Sequence, residues 1–174
     1  MKQYSKRMVI AHWLTLGLLV LAWYLGDSLS DSTDESRATL FGYVIHVSAG
    51  IAVLLLIAMR LLFRSKDGVP PAIGHAAMDR LAKGVHHTLY LLLLVVPITG
   101  ILTVLRSSVA KALLSGDANM LPKAHGFHGL LVHSLHGTLV NVLIAVVVVH
   151  VLGALKHQFI DKDNLLERMM LRRK

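Results

Sequence analysis

Residues 130–155 read LLVHSLHGTLVNVLIAVVVVHVLGAL, an apolar run with no Asp, Glu, Lys or Arg in it. About 20 such residues, wound as a helix, cross the roughly 30 Å of hydrocarbon in a bilayer. Inside the run stand His136 and His150, and an ionisable side chain within a spanning helix is costly enough to be a functional hypothesis by default. The 14-residue step between them rises about 21 Å and turns through about 1400°, which leaves the two side chains about 40° apart. One face of one helix thus carries an imidazole near each membrane surface.

Three further runs of the same kind lie at 8–25, 40–63 and 84–105, and none of the four contains an acidic residue. Together they predict an all-α integral membrane four-helix bundle forming a single domain over residues 1–174. An eight-stranded barrel would need short alternating segments instead of continuous Leu, Val and Ala. Composition agrees: 55% of the 174 residues are hydrophobic and 16% charged, with a mean hydropathy of +0.62, against about 25% charged residues in a soluble domain. Surplus apolar surface in so short a chain must face lipid. Lys2, Lys6 and Arg7 precede the first run as they would precede a signal peptide. The sequence Trp23-Tyr24-Leu25-Gly26 offers no small-x-small cleavage site, however, and the segment is expected to be retained.

The basic residues set the orientation. The N-terminal tail has 3 (Lys2, Lys6, Arg7), the second connection 5 (Arg60, Arg64, Lys66, Arg80, Lys83) and the C-terminal tail 6 (Lys156, Lys162, Arg168, Arg172, Arg173, Lys174), so one side holds 14. The other side holds 4: Arg37, Arg106, Lys111 and Lys123. By the positive-inside rule both termini are cytoplasmic. The net charge of +8 and the pI near 10.1 follow from a basic fringe beside anionic lipid. No helix-turn-helix, zinc-finger or RNA-binding motif supports a nucleic-acid partner. The first external loop is acidic (Asp27, Asp31, Asp34, Glu35), the second is basic, and Pro70-Pro71 stiffens the cytoplasmic connection.

Eleven histidines and no cysteine narrow the chemistry further. Disulfides, thiolate zinc, iron–sulfur clusters and covalent C-x-x-C-H haem attachment are all excluded. The histidine depths match in pairs. His12 lies one turn inside the cytoplasmic end of the first run, level with His150; His46 lies about two turns inside the external end of the second, level with His136. Two imidazoles from different helices at one level are what a six-coordinate haem needs, because axial ligands approach the iron from opposite faces. Two such pairs predict a two-haem wire. Gly50, Ser48, Gly137 and Gly153 stand where a flat macrocycle would approach backbone, although small residues are also common at helix contacts in lipid.

The other histidines are more open. His86 and His87 begin the third run at the cytoplasmic level, where either competes with His12 for the inner haem or bonds to a propionate or a quinone. His157 lies seven residues beyond His150, about 20° away on the same face. That is the place of a proton carrier near neutral pH, or of an interfacial anchor in the headgroups. His125, His128 and His133 read as solvated or interfacial residues at the external edge.

With these residues in view the chain resembles the bacterial cytochrome b561 family of small di-haem membrane cytochromes. The resemblance runs almost end to end. It rests on Tyr4-Ser5 and Ala11-His12-Trp13-Leu14, on Ile45-His46-Val47-Ser48-Ala49-Gly50-Ile51 with Arg60-Leu61-Leu62, and on His86, Tyr90 and Pro97. It continues through His136 and His150 to Lys162-Asp163-Asn164 and Arg168-Met169-Met170. It implies two haems b, with His12 and His150 as axial iron ligands of the inner one and His46 and His136 of the outer one, in a multi-pass protein of the bacterial inner membrane. It further implies a superoxide oxidase that takes electrons from periplasmic superoxide and delivers them to ubiquinone, with no obligatory protein partner. The quinone end in the family lies near the last histidine, here His157, with His86 as second candidate. A lysine found in relatives before the third helix is replaced around His75. Two alternatives compete: a cytochrome b subunit relaying electrons from a periplasmic dehydrogenase or hydrogenase to quinone, and a histidine-lined metal transporter. The transporter would want carboxylates in its spans for charge compensation, and the spans have none.

Overall fold

The computed structural model describes residues 3–30, 39–71, 76–122, 127 and 129–171. Asp31, Asp34, Glu35, Arg37, His75, Lys123, His125 and His128, together with the terminal Lys2, Arg172, Arg173 and Lys174, lie outside the described residues. Within them every regular element is helical: α1 (Lys6–Ser30), α2 (Leu40–Asp67), α3 (Ala76–Arg106), α4 (Val109–Ser115) and α5 (Leu131–Phe159). Four of these, α1, α2, α3 and α5, are long and apolar enough to cross a membrane, and the molecule is an all-α membrane bundle.

Each spanning helix is longer than its apolar run. Hydropathy marks where lipid chains begin, whereas a helix stops only where its backbone ladder is interrupted. The α2 helix therefore runs on through Arg64, Ser65, Lys66 and Asp67 until Gly68, at φ 71°, turns the chain ahead of Pro70-Pro71. The α3 helix begins at Ala76, well before the run that opens at Gly84. At its start α2 is capped by Thr39, whose hydroxyl accepts from the Gly42 N–H at 3.0 Å.

The connection between α3 and α5, expected as a loop, contains α4 and a 3₁₀ turn at Ala118–Met120. Seven residues are too few to hold a helix by propensity. Packing supplies the rest: Val109 is buried with Leu29 and Tyr43, and Gly116 at φ 72° closes the helix by donating to the Ala112 carbonyl at 2.9 Å.

In the bundle α1 packs closely on α2 and α3 on α5, and α2 joins the two hairpins through α3. The middle is filled by Val53, Ile57, Leu92, Leu93, Val96 and Leu143. Most other large apolar side chains of the spans face outward, including Leu55, Leu62, Leu91 and Leu152, as lipid rather than water surrounds them. Both termini lie at one end. There a second 3₁₀ turn, Leu165–Met169, is tied down by the Trp13 indole N–H donating to Met169 O (2.9 Å), the Tyr4 N–H to Arg168 O (3.2 Å) and the Gln3 amide to Glu167 O (2.9 Å). Arg168, buried, donates to the Pro71 carbonyl at 2.7 Å, and Arg7 forms a two-pronged ion pair with Asp67.

Candidate functional site

The seam between the two hairpins is bridged twice by imidazoles. At the end opposite the termini His46 on α2 faces His136 on α5, with ring centroids 6.3 Å apart and planes at 86°. At the terminal end His12 on α1 faces His150 on α5, again 6.3 Å apart, with planes at 67°. A metal–imidazole bond of about 2.0 Å plus about 1.1 Å from that nitrogen to its ring centre puts two trans ligands about 6.2 Å apart, centre to centre. Both pairs therefore have the spacing that a bis-imidazole metal requires. The apolar core layer lies between them.

The pair opposite the termini is set up in detail. The Nδ1–H of His46 donates to the Ala22 carbonyl at 2.8 Å, and that of His136 to the Val96 carbonyl at 3.0 Å, with the Thr99 hydroxyl 3.1 Å away. A carbonyl only accepts, so the proton is on Nδ1 and Nε2 keeps its lone pair. Fixing a ligand's tautomer through its second nitrogen is the usual support for a metal-bound imidazole. Pro97, directly after Val96, takes one N–H out of the α3 ladder. Two glycines make room: a Cβ at Gly26 would meet Cε1 of His46 at 2.9 Å, and one at Gly100 would meet Cε1 of His136 at 3.0 Å. Neither Gly26, Gly100 nor Thr99 stands out in the sequence. Their signal is an isolated glycine within a helical pattern, and that alone does not say which ring it accommodates.

The terminal-end pair has company. His86 on α3 sits 5.2 Å from His150, and Trp13 packs edge-on against His12, also at 5.2 Å. Arg60 extends its guanidinium over the Tyr90 ring at 5.5 Å. The Nδ1 of His12 and the Nε of Arg60 are buried without a hydrogen-bond partner. Unpaired buried polar atoms are rare enough to need a cause, and an anionic, metal-centred cofactor is one that fits both. His87 is exposed on α3.

In the last turn of α5, His157 is half-buried with its Nδ1 2.7 Å from Asp163. His133 stacks on Phe127 at 4.3 Å. Gly50, Gly137 and Gly153 each have open space where a side chain would begin.

The model of the prokaryotic cytochrome b561 family matches residues 3–171. The chain belongs to that family. Among similar proteins, a "Cytochrome b562" of Cereibacter sphaeroides is 32% identical over 96% of this chain and 94% of its own length. A "Cytochrome b561 homolog 1" of Escherichia coli is 29% identical over the whole of both chains. A "Probable superoxide oxidase CybB" of Yersinia pestis is 31% identical over 97% of this chain and 96% of its own. This b561-family chain is thus a multi-pass bacterial membrane cytochrome of the haem b type, acting in electron transfer, and paired imidazoles are of the chemistry that could hold such a cofactor.

Proposed function

We propose that the chain binds two haems b and passes electrons across the bacterial inner membrane from periplasmic superoxide to ubiquinone. The observation that carries this reading is the repeated 6.3 Å imidazole pair, once toward each end of one bundle. His46 and His136 hold one haem; His12 and His150 hold the other. His86 stands 5.2 Å from His150, unlike the 6.3 Å common to the His12–His150 and His46–His136 pairs, which favours His12 as the residue that would hold the group with His150. Arg60 is placed to pair with a haem carboxylate. A haem iron supplies one-electron chemistry when bound.

The reaction balances as two superoxide anions, one ubiquinone and two protons giving two dioxygen molecules and one ubiquinol. The superoxide half involves no bond cleavage and no proton, so the residues needed there are those that attract an anion. Arg106 at the end of α3 and Lys111 on α4 are exposed, at the same end of the bundle as the His46–His136 pair. Reversing both to glutamate is expected to slow haem reduction by superoxide about tenfold at low ionic strength, the gap closing as salt is raised. An unchanged rate would remove this face as the entrance.

The quinone half needs protons from the cytoplasmic side. His157, seven residues beyond His150, is positioned to supply them. His157→Ala is expected to slow ubiquinone reduction about 100-fold, a usual contribution of a proton-transferring side chain, with haem spectra unchanged. The deciding experiment is stopped-flow reduction of the purified chain by superoxide, with and without ubiquinone. Fast haem reduction followed by quinone-dependent reoxidation supports the proposal. A chain inert to superoxide that co-purifies with a periplasmic iron–sulfur enzyme would instead be that enzyme's electron-relay subunit.

A further inference from the structure

Directly after α5 the chain folds back on itself. The Ile160 and Asp161 N–H groups donate to the Lys156 carbonyl at 2.8 and 3.1 Å, and the Asp163 N–H donates to the His157 carbonyl at 3.2 Å. This brings Asp163 alongside a ring six residues earlier. The turn is made by Lys162 at φ 54° and Asn164 at φ 56°, the non-glycine residues with positive φ among those described. Asn tolerates that region, whereas Lys does so at a cost, and such backbone persists only where its surroundings impose it. Flanking Asp163 on both sides, the two residues aim its carboxylate.

The carboxylate divides its oxygens. Oδ1 accepts from the Leu165 N–H at 3.1 Å, capping the 3₁₀ turn, and Oδ2 lies 2.7 Å from Nδ1 of His157. Asp161 also approaches that nitrogen, at 3.4 Å, but its carboxylate is engaged by the Lys156 ammonium at 2.6 Å, which holds its pKa below the usual value. Asp161 is thus engaged by Lys156, and Asp163 is left as the partner of His157.

We propose that Asp163 is a positioning residue that fixes His157 with its proton on Nδ1 and its lone pair on Nε2. The inference rests on the reading of His157 as the proton donor to quinone. A carboxylate accepts and never donates, so Nδ1 must carry hydrogen and Nε2 becomes the nitrogen that gains and releases protons. At 19% side-chain exposure, the ring has contact both with solvent and with the protein interior. Without its partner the imidazole would choose its tautomer and rotamer freely, and a proton-transfer group loses most of its effect when misaligned.

The test uses the full haem-loaded chain, with histidines labelled by 15N and the His157 signals assigned by their loss in H157A. Asp163→Asn retains the oxygen that the Leu165 N–H needs, which turns its amide NH2 toward the ring. The expected result is that the proton moves from Nδ1 to Nε2 in D163N. Turnover of ubiquinone should fall about tenfold in kcat with KM changed less than twofold, and D163E should recover most of both. An unchanged ring signal in D163N overturns the hold on His157, whichever way H157A behaves. H157A reducing ubiquinone at the parental rate overturns the proton-donor reading instead. A loss shared equally by D163N and D163E, with the tautomer intact, assigns Asp163 to closing the tail and likewise overturns the proposal.

Discussion

An H136A chain is expected to bind one haem fewer than the parent, and to lose the superoxide-dependent ubiquinone reduction proposed above. His136 supplies one side of the pair at the end opposite the termini, and no other described imidazole stands at its distance from His46. His133, the next histidine along α5, is stacked on Phe127. The loss should stay local. His150 lies one 14-residue step along α5, about 21 Å away, beyond the packed layer of Val53, Ile57, Leu92, Leu93, Val96 and Leu143, and sites so far apart behave additively. Extracted haem per chain and the reduced-minus-oxidised spectrum measure it directly. Free imidazole should restore part of the lost band, because the vacated space is that of the ring. H133A, the control, should keep both haems. An H136A chain with two full haems would end the assignment.

Gly26→Val is expected to empty the same site without touching a ligand. The new Cβ would stand 2.9 Å from Cε1 of His46, and the two γ-methyls would extend further into the ring. The ring has no easy retreat, because its Nδ1–H is bonded to the Ala22 carbonyl at 2.8 Å. Overpacking of this kind costs about 1–3 kcal/mol, and a binding group displaced by about 1 Å is already too far for its partner. Glycine to alanine in a helix interior otherwise gains about 1 kcal/mol, so Gly26→Ala sets a helix gain against a ligand shift and should perturb the potential of the outer haem more than its occupancy. Gly100→Val should act in the same way on His136, where the Cβ would meet Cε1 at 3.0 Å. Gly84→Ala, with nothing within 4 Å of its Cβ, should leave both haems and raise thermal stability. Full haem occupancy in both valine variants would show that the close approaches are not part of the ligand geometry.

The bundle was legible because lipid imposes a one-dimensional rule. Every backbone group must be satisfied within its own segment, so an apolar run of sufficient length is a helix whatever lies beside it. The rule is silent about helix ends, and α2 and α3 overrun their apolar stretches for that reason. It is equally silent about α4, which Val109, Leu29 and Tyr43 hold in place. The four paired histidines were legible because depth in a membrane is a coordinate that sequence supplies. His86 was ambiguous in the sequence, and the distances set it apart: 5.2 Å from His150, against 6.3 Å for His12.

Composition and spacing by themselves determined a cysteine-free four-helix membrane protein with imidazoles at two levels, since hydropathy and helical rise are properties of a single segment. Only the tertiary structure decided that Gly26 and Gly100 admit the rings, that Ala22 and Val96 orient them, that Arg60 lies over Tyr90, and that Asp163 turns back onto His157. Each of these joins residues on different helices, or across a left-handed turn, and such contacts depend on rotation and packing between segments, which no periodicity along the chain records.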